Sequence, residues 1–314
     1  MPNNSEMTSI RGVDLFCGAG GLTKGLEQSG IDVAMGVDLD PNCAFAFDHN
    51  TSATFQLADV SDPKIANLLT EVRLIAGCAP CQPFSSYTQG GRKRRNEDRW
   101  NLLRSFANII GATRPELVTM ENVPNLREHP VYDELINGLE ALGYGVREGV
   151  VDCRQIGLPQ SRRRLVLLAS RLGDPGWLNF SHPNPQDWVP VRDTIGSLPA
   201  IAAGERHDSD PLHQSSSLTS LNLERIRHSK PGGTWRDWPE SLRSKCHTKA
   251  SGRSYPSVYG RMVWDEPSPT LTGQCYGFGN GRFGHPEQDR AISLREASLL
   301  QGFPPDYAFS PTDQ

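Results

Sequence analysis

No apolar run in this chain approaches the ~18 residues that cross a bilayer. The first thirty residues also lack an apolar core behind a basic start. Neither a membrane span nor a secretory leader is therefore expected, and the chain reads as cytoplasmic. A disulfide framework is missing as well: the seven cysteines are odd in number and irregular in spacing, as free thiols in a reducing compartment are. Net basic charge is absent, with 32 Lys+Arg against 36 Asp+Glu and a total of −4. That total conceals a segregation. Between Cys153 and Arg261 there are 16 Lys+Arg and 9 Asp+Glu, a net of +7, which leaves −11 for the rest of the chain. Charge therefore does not exclude a polyanionic partner, which would meet the third quarter of the sequence unless that quarter is only a solvated Arg-rich surface.

The 314 residues suffice for one large domain and a smaller one. Short apolar runs at Val13 to Phe16, Val33 to Val37, Leu74 to Ala76, Leu117 to Met120 and Leu165 to Ala169 read as buried strands. Between them, Leu22 to Gln28, Asn101 to Ile110 and Tyr132 to Leu142 read as helices, each with a glycine just past its end. The expected class is α/β, with a doubly wound, mostly parallel sheet. After Ser170 the texture changes to Pro, Gly, Ser and Trp with little periodicity. We therefore expect a first domain over 1–180, a loop-rich second domain over 181–285, and a segment, 286–314, that returns to the first. In that last segment Ser293-Leu-Arg-Glu296 forms a capping box opening a helix through Leu300, closed by Gly302 and Pro304. No internal repeat is evident.

Asp14-Leu-Phe-Cys-Gly-Ala-Gly-Gly21 sits where the first strand turns into the first helix, a place where glycines let a nucleotide-like cofactor approach the backbone. The dinucleotide pattern fails, because Thr23 stands where its third glycine would fall. Asp38 follows the second run, where an acid can accept from both hydroxyls of a ribose. Asp59 follows a third short run, where it could accept from an exocyclic amine, or be an ordinary surface acid. Gly77-Cys-Ala-Pro-Cys-Gln-Pro-Phe-Ser85 directly follows the fourth strand and puts Cys81 at the carboxyl edge of the sheet. Cys78 and Cys81 make a C-x-x-C pair, but the absence of a second such pair argues against zinc. Thiol–disulfide exchange is the better rival, although the pair does not open a helix that would lower a thiol pKa. Glu121-Asn-Val follows the fifth strand, so an acid shares that edge with Cys81. Gln160-Ser-Arg-Arg-Arg164 precedes the next strand, and alternation sends Arg162 and Arg164 to one face. Arg92-Lys-Arg-Arg95 reads as a Gly-flanked loop able to close on a phosphate backbone, or as a solvated basic loop.

Taken in order, Phe-Cys-Gly-Ala-Gly-Gly, Ala-Pro-Cys-Gln-Pro-Phe-Ser, Glu-Asn-Val and Gln-Ser-Arg-Arg-Arg resemble the C5-cytosine DNA methyltransferase family, and the resemblance spans Val13 to Pro305. It implies the S-adenosylmethionine-dependent methyltransferase fold, with target recognition carried by 181–285. It implies S-adenosylmethionine as cofactor, bordered by Phe16, Gly18, Ala19, Gly20, Gly21, Asp38, Leu39, Asp59 and Pro80. Cys81 would be the nucleophile, Glu121 the group on the cytosine ring nitrogen and amine, and Arg162 and Arg164 the cations that steady base, thiolate and carboxylate. Gln82, Ser85, Asn122, Arg92, Arg95 and Thr270 would meet the DNA. The implied partner is double-stranded DNA, with a cognate restriction endonuclease and a prokaryotic or phage source. Family members usually also carry an Asn-Ser-Val segment and a following helix. No such segment precedes Gln314, so a second chain that supplies it is one expectation. RNA as the methylated polymer, and a non-catalytic DNA-binding subunit, are the rival readings.

Overall fold

The computed structural model describes residues 9–80, 94–182, 184–249 and 256–311. Chain contacts divide it into two units, the first comprising residues up to Val151, Arg163–Asn179 and Ala308–Ser310, the second Asp152–Arg162 and Phe180–Tyr307.

The chain begins with β1 (Arg11–Leu15), α1 (Gly21–Gln28), β2 (Asp32–Asp38), α2 (Ala44–Asn50), β3 (Thr54–Leu57), α3 (Ile65–Leu68) and β4 (Leu74–Gly77). It continues through α4 (Arg94–Thr113), β5 (Leu117–Asn122), α5 (Pro130–Ala141), β6 (Gly145–Asp152), β7 (Gln160–Ser161) and β8 (Arg163–Ser170). A seven-stranded sheet runs in the order β3-β2-β1-β4-β5-β8-β6. Strands β1 to β5 pair in parallel, whereas β8 runs antiparallel to β5. The doubly wound, mostly parallel class is therefore correct. The chain winds outward from β1 in one direction through β2 and β3, and then in the other through β4 and β5. The switch point, where open α/β sheets place their ligands, is the carboxyl edge at β1 and β4.

The near-continuous apolar strands follow from burial on both faces. Val13, Leu15, Val37, Ile75, Val118, Met120, Leu165 and Leu167 are buried in one cluster with Leu103, Phe106, Ile110, Leu135 and Leu139 from α4 and α5. At ~1.5–3 kcal/mol per large side chain, this cluster holds the edge in place. The last residue of β4 is Gly77, where a Cβ would sit 2.8 Å from the Phe106 ring and 2.9 Å from the Leu15 carbonyl, so no larger residue fits. Late chain also contributes to this unit: Asn50 donates to the Ala308 carbonyl at 2.7 Å and accepts from the Ala308 N–H at 3.0 Å.

Three local expectations are corrected. Helix α4 starts at Arg94 instead of Asn101, so Arg94 and Arg95 lie in its first turn and not on a loop. Its early sequence is polar and has no apolar stripe, which hides a helix from periodicity although Arg, Glu and Asn are tolerated there. The same helix passes through Gly111 and ends at Thr113, before Arg114 at φ 49°. Arg162 falls between β7 and β8, so a continuous alternation through Arg162, Arg163 and Arg164 does not exist.

The second unit contains α6 (Val191–Ile195), β9 (Arg206–His207), β10 (Asp210–Gln214), α7 (Ser220–Arg227), α8 (Lys245–Thr248), β11 (Ser268–Pro269) and α9 (Leu294–Leu300). Ser293 caps α9 with the expected capping box to Glu296. Small apolar clusters around Ile292 and Leu300, and around Trp238 and Phe278, are joined by buried arginines. Arg261 donates to the Ser229, His285 and Gln288 carbonyls, and Arg225 to that of Leu242. Part of the basic excess is thus consumed inside the fold and cannot meet an external anion. Among the described residues, no helix is long and apolar enough to cross a membrane.

Candidate active site

After β1 the backbone turns sharply. Phe16 takes φ 62°, unusual for a side chain with a Cβ, and is held there by its N–H donating to the Val37 carbonyl at 2.8 Å. Gly18 follows at φ 51° and Gly20 at φ 88°, the left-handed region that glycine enters without cost. A Cβ on Gly18 would meet nothing within 4 Å, so the backbone there is open to an approaching molecule. Ala19 is half-buried, Gly20 caps α1 and Gly21 is its first residue.

Asp38, the last residue of β2, secures this turn. One carboxylate oxygen accepts from the Gly18 N–H at 2.9 Å and the other from the Asp40 N–H at 2.9 Å. Each oxygen keeps a further lone pair. The next residue, Leu39, is 66% exposed, a large apolar side chain presented beyond the strand end. Asp59, exposed beyond β3, accepts from the Ser61 N–H at 2.8 Å. Pro80 is exposed beyond β4.

Beneath the turn lies Asp14, fully buried on β1. Its Oδ2 accepts from the Thr23 hydroxyl at 2.8 Å, and its Oδ1 has no hydrogen-bond partner among the described residues. Burial raises its pKa to about 7. Burial, with Asp14 and Asp38 nearby, also raises the Cys17 thiol, which stays protonated. Cys17 is therefore not a nucleophile, in keeping with its place in the core.

The second half of the edge is built by β4, β5 and β8. Glu121 lies one residue before the end of β5, and the antiparallel register opposes it to Val166. Arg164, near the start of β8, reaches it with Nε 2.5 Å from Oε1. On the other side, the Cys78 thiol donates to Oε2 at 2.9 Å. The Glu121 side chain remains 33% exposed and that of Arg164 16%, so the pair faces a solvent-accessible edge. Asn122 is buried, donates to the Ala79 carbonyl at 3.0 Å and accepts from the Val123 N–H. Its carboxamide holds the segment after β4 and is not turned outward.

Among the expected site residues, the structure thus gathers Phe16, Gly18, Ala19, Gly20, Gly21, Asp38 and Leu39 at one part of the edge, and Glu121 with Arg164 at another. Cys81, Gln82, Ser85 and Arg92 lie outside the described residues, and Arg95 is placed only as the second residue of α4. Arg162 belongs to the second unit, where its carbonyl accepts from the Cys153 N–H at 2.7 Å. In that unit Thr270 donates to the Ser161 carbonyl. Buried Gln160 donates to the Leu300 carbonyl at 3.1 Å and accepts from the Leu271 N–H at 3.2 Å, tying β7, α9 and the Thr270-Leu271 dipeptide together. Sequence reasoning missed Cys78 as a partner of Glu121, Asp14 as a buried acid and Gln160 as a tie. For Cys78 the available signal was its position at a strand end beside the strand carrying Glu121.

Comparison with known proteins fits this edge. The model of the family described as C-5 cytosine-specific DNA methylase matches residues 10–314. The type II methylase M.HgiDII of Herpetosiphon aurantiacus is 48% identical over 310 residues, covering 96% of this chain and 86% of that protein. The type II methyltransferase M1.HphI of Haemophilus parahaemolyticus is 30% identical, covering 96% and 79%. Among solved structures, a DNA modification methyltransferase encoded within an E. coli prophage superposes with a TM-score of 0.69 at 22% identity, covering 96% of this chain and 90% of that one. The Dnmt2 methyltransferase of S. pombe gives 0.65 at 18% identity, covering 96% and 88%; both likenesses concern the fold. By its match across nearly its whole length, this chain belongs to the C-5 cytosine-specific DNA methylase family.

Proposed function

We propose that the chain transfers a methyl group from S-adenosylmethionine to carbon 5 of a cytosine flipped out of a specific site in double-stranded DNA, with Cys81 as the nucleophile. The observation that carries this reading is Glu121, fixed by Arg164 and Cys78 at the carboxyl edge beside the strand that leads into Pro80 and Cys81.

The residues at the switch point fit the methyl donor. Gly18 is open, Leu39 offers an exposed apolar face, and Asp38 and Asp59 each keep lone pairs for hydroxyl or amine donors. Phe16, Gly18 to Gly21, Asp38, Leu39, Asp59 and Pro80 would hold the donor, which when bound supplies an electrophilic methyl group.

Carbon 5 of cytosine is a weak nucleophile. Addition of the Cys81 thiolate to carbon 6 converts the ring into an enamine whose carbon 5 can take the methyl group. Glu121 holds the proton on the ring nitrogen during that addition, and Arg164 anchors the carboxyl group from behind. Transfer of the carbon 5 proton to a solvent water then lets its electron pair expel the Cys81 thiolate and restore the aromatic ring. None of these atoms is reachable in a stacked duplex, so the base must leave it, at a cost of a few kcal/mol. In this reading Arg92 and Arg95 offset that cost through phosphate, Gln82 and Ser85 line the base, Asn122 keeps the loop in place, Arg162 supports the base and Thr270 steadies the displaced nucleotide. Target recognition falls to 181–285. The setting is the cytoplasm of a prokaryote or phage-infected cell, with a cognate restriction endonuclease as functional partner.

The test is incubation with labelled methyl donor and duplex DNA, together with a DNA carrying 5-fluorocytosine at the site. Transfer to DNA and a covalent complex lost in Cys81→Ser support the proposal. Transfer to RNA alone, or DNA binding without transfer, overturns it.

A further inference from the structure

The Cys78-x-x-Cys81 spacing invites a metal or disulfide reading, yet the thiol of Cys78 is committed elsewhere. It points at Oε2 of Glu121 across 2.9 Å, while Arg164 Nε takes Oε1 at 2.5 Å. One residue further along each strand, Asn122 crosses back to the Ala79 carbonyl at 3.0 Å. The parallel register pairs Gly77 with Met120. Two consecutive side-chain bonds therefore continue the β4–β5 ladder beyond the point where backbone pairing ends, one donated from each strand.

We infer that Cys78 is a positioning residue for Glu121, its thiol and the Arg164 guanidinium together setting the plane of the carboxyl group that meets the pyrimidine. The inference rests on the proposed function and deepens it.

The terminal torsion of a glutamate is broad and roughly two-fold, so one monodentate cation leaves the carboxyl plane free to turn. A second donor on the other oxygen removes that freedom. Each carboxylate oxygen has two lone pairs; the Cys78 thiol takes one on Oε2 while Oε1 faces the Arg164 guanidinium as an ion pair, which leaves both oxygens able to accept from a ring N–H and an exocyclic amine side by side. A neutral donor suits the second position. It orients the carboxyl group without adding a second positive charge to a residue that must hold and release a proton. Cys78 forms no bond to substrate, and its S–H remains intact throughout.

A cysteine that merely packs would give a different set of phenotypes. The test is single-turnover methylation of duplex DNA by the full chain carrying Cys78→Ala, Cys78→Ser, Glu121→Gln, or Cys78→Ala with Glu121→Gln. We expect Cys78→Ala to lower the methylation rate by about tenfold with KM for the donor and Kd for DNA within about twofold of wild type, a part of what acid–base groups contribute. Cys78→Ser, which keeps a donor on the same atom, should stay within about threefold of wild type. In the Glu121→Gln background, Cys78→Ala should cost less than about twofold more, because the group it orients is gone. Should alanine unsettle the turn, Cys78→Val keeps the bulk and removes the donor. Equal losses in the serine and alanine variants, full multiplication of the two losses in the double variant, or a change in KM or Kd with an unchanged rate would each overturn the inference. A wild-type chain that neither methylates DNA nor is trapped by 5-fluorocytosine overturns the proposed function and the inference with it. A competent wild type with an additive cycle overturns the inference alone.

Discussion

Among the described residues two carboxylates are buried, one in each unit, and they are treated in opposite ways. Glu296, in α9 of the second unit, receives both Arg290 nitrogens at 2.7 and 2.8 Å and the Ser293 N–H at 2.7 Å. Burial pushes its pKa up, but the Arg290 bonds and charge overcome this and leave it lowered. Asp14, in β1 of the first unit, has a single hydroxyl, and burial wins. The second unit, with small apolar clusters, uses fully satisfied ion pairs as core material. The first unit has an ample apolar core and can leave a buried acid half-satisfied under the turn proposed to hold the methyl donor. Local conflict of that kind is expected at functional sites.

The largest effect should come from breaking the satisfied member. Arg290→Met strands Glu296 without a counter-charge and should destabilise the second unit by ~3–5 kcal/mol. Urea unfolding will measure it, and adding Glu296→Leu should restore much of the loss; if the single substitution is neutral, the pair is not core material.

Asp14 has the opposite sign. Its folded pKa is raised, so between pH 3.8 and about 7 the unfolded chain has released a proton that the folded chain retains, and stability falls as pH rises. At about 1.4 kcal/mol per pKa unit, a rise from 3.8 to about 7 amounts to a burden on the order of 4 kcal/mol above pH 7. Asp14→Asn should therefore raise Tm at pH 8, change little at pH 4 and flatten the slope between; a parallel pH profile for both proteins would refute the burden. Thr23→Val removes the hydroxyl donor to Asp14 and should cost ~1–3 kcal/mol at pH 8, with the pH-dependent fall extending to higher pH. The smallest effect should be that of Ser293→Ala. It removes the cap of α9 and the hydroxyl that meets His213 Nδ1 at 2.8 Å, and costs about 1 kcal/mol.

Much of the architecture was legible. The strands β1, β2, β4, β5 and β8 are largely buried, and burial writes itself as short runs rich in Val, Leu, Ile and Met. By contrast β6 contains Arg147, Glu148 and two glycines, and α4 opens on charged residues, so neither carries a periodic apolar signal. The basic count between Cys153 and Arg261 could not distinguish arginines that face solvent from Arg225 and Arg261, which are bonded to buried carbonyls. At the candidate site, Glu121 and Asp38 were legible because a strand end fixes where a side chain emerges. The partnership of Cys78 with Glu121 was not, since it depends on the register between two strands separated by α4. The alternation drawn through Arg162 failed for a related reason: it holds within a strand, and β8 starts after that residue.

The clasp between Asn50 and Ala308 bears on how the molecule is made. As the chain emerges from the ribosome, α2 leaves the exit tunnel long before its carboxamide has the partner it uses in the finished fold, because 258 positions separate the two. Closure of the first unit around α2 therefore waits on translation of nearly everything else, and a truncated product ending short of that contact would carry an open seam at α2.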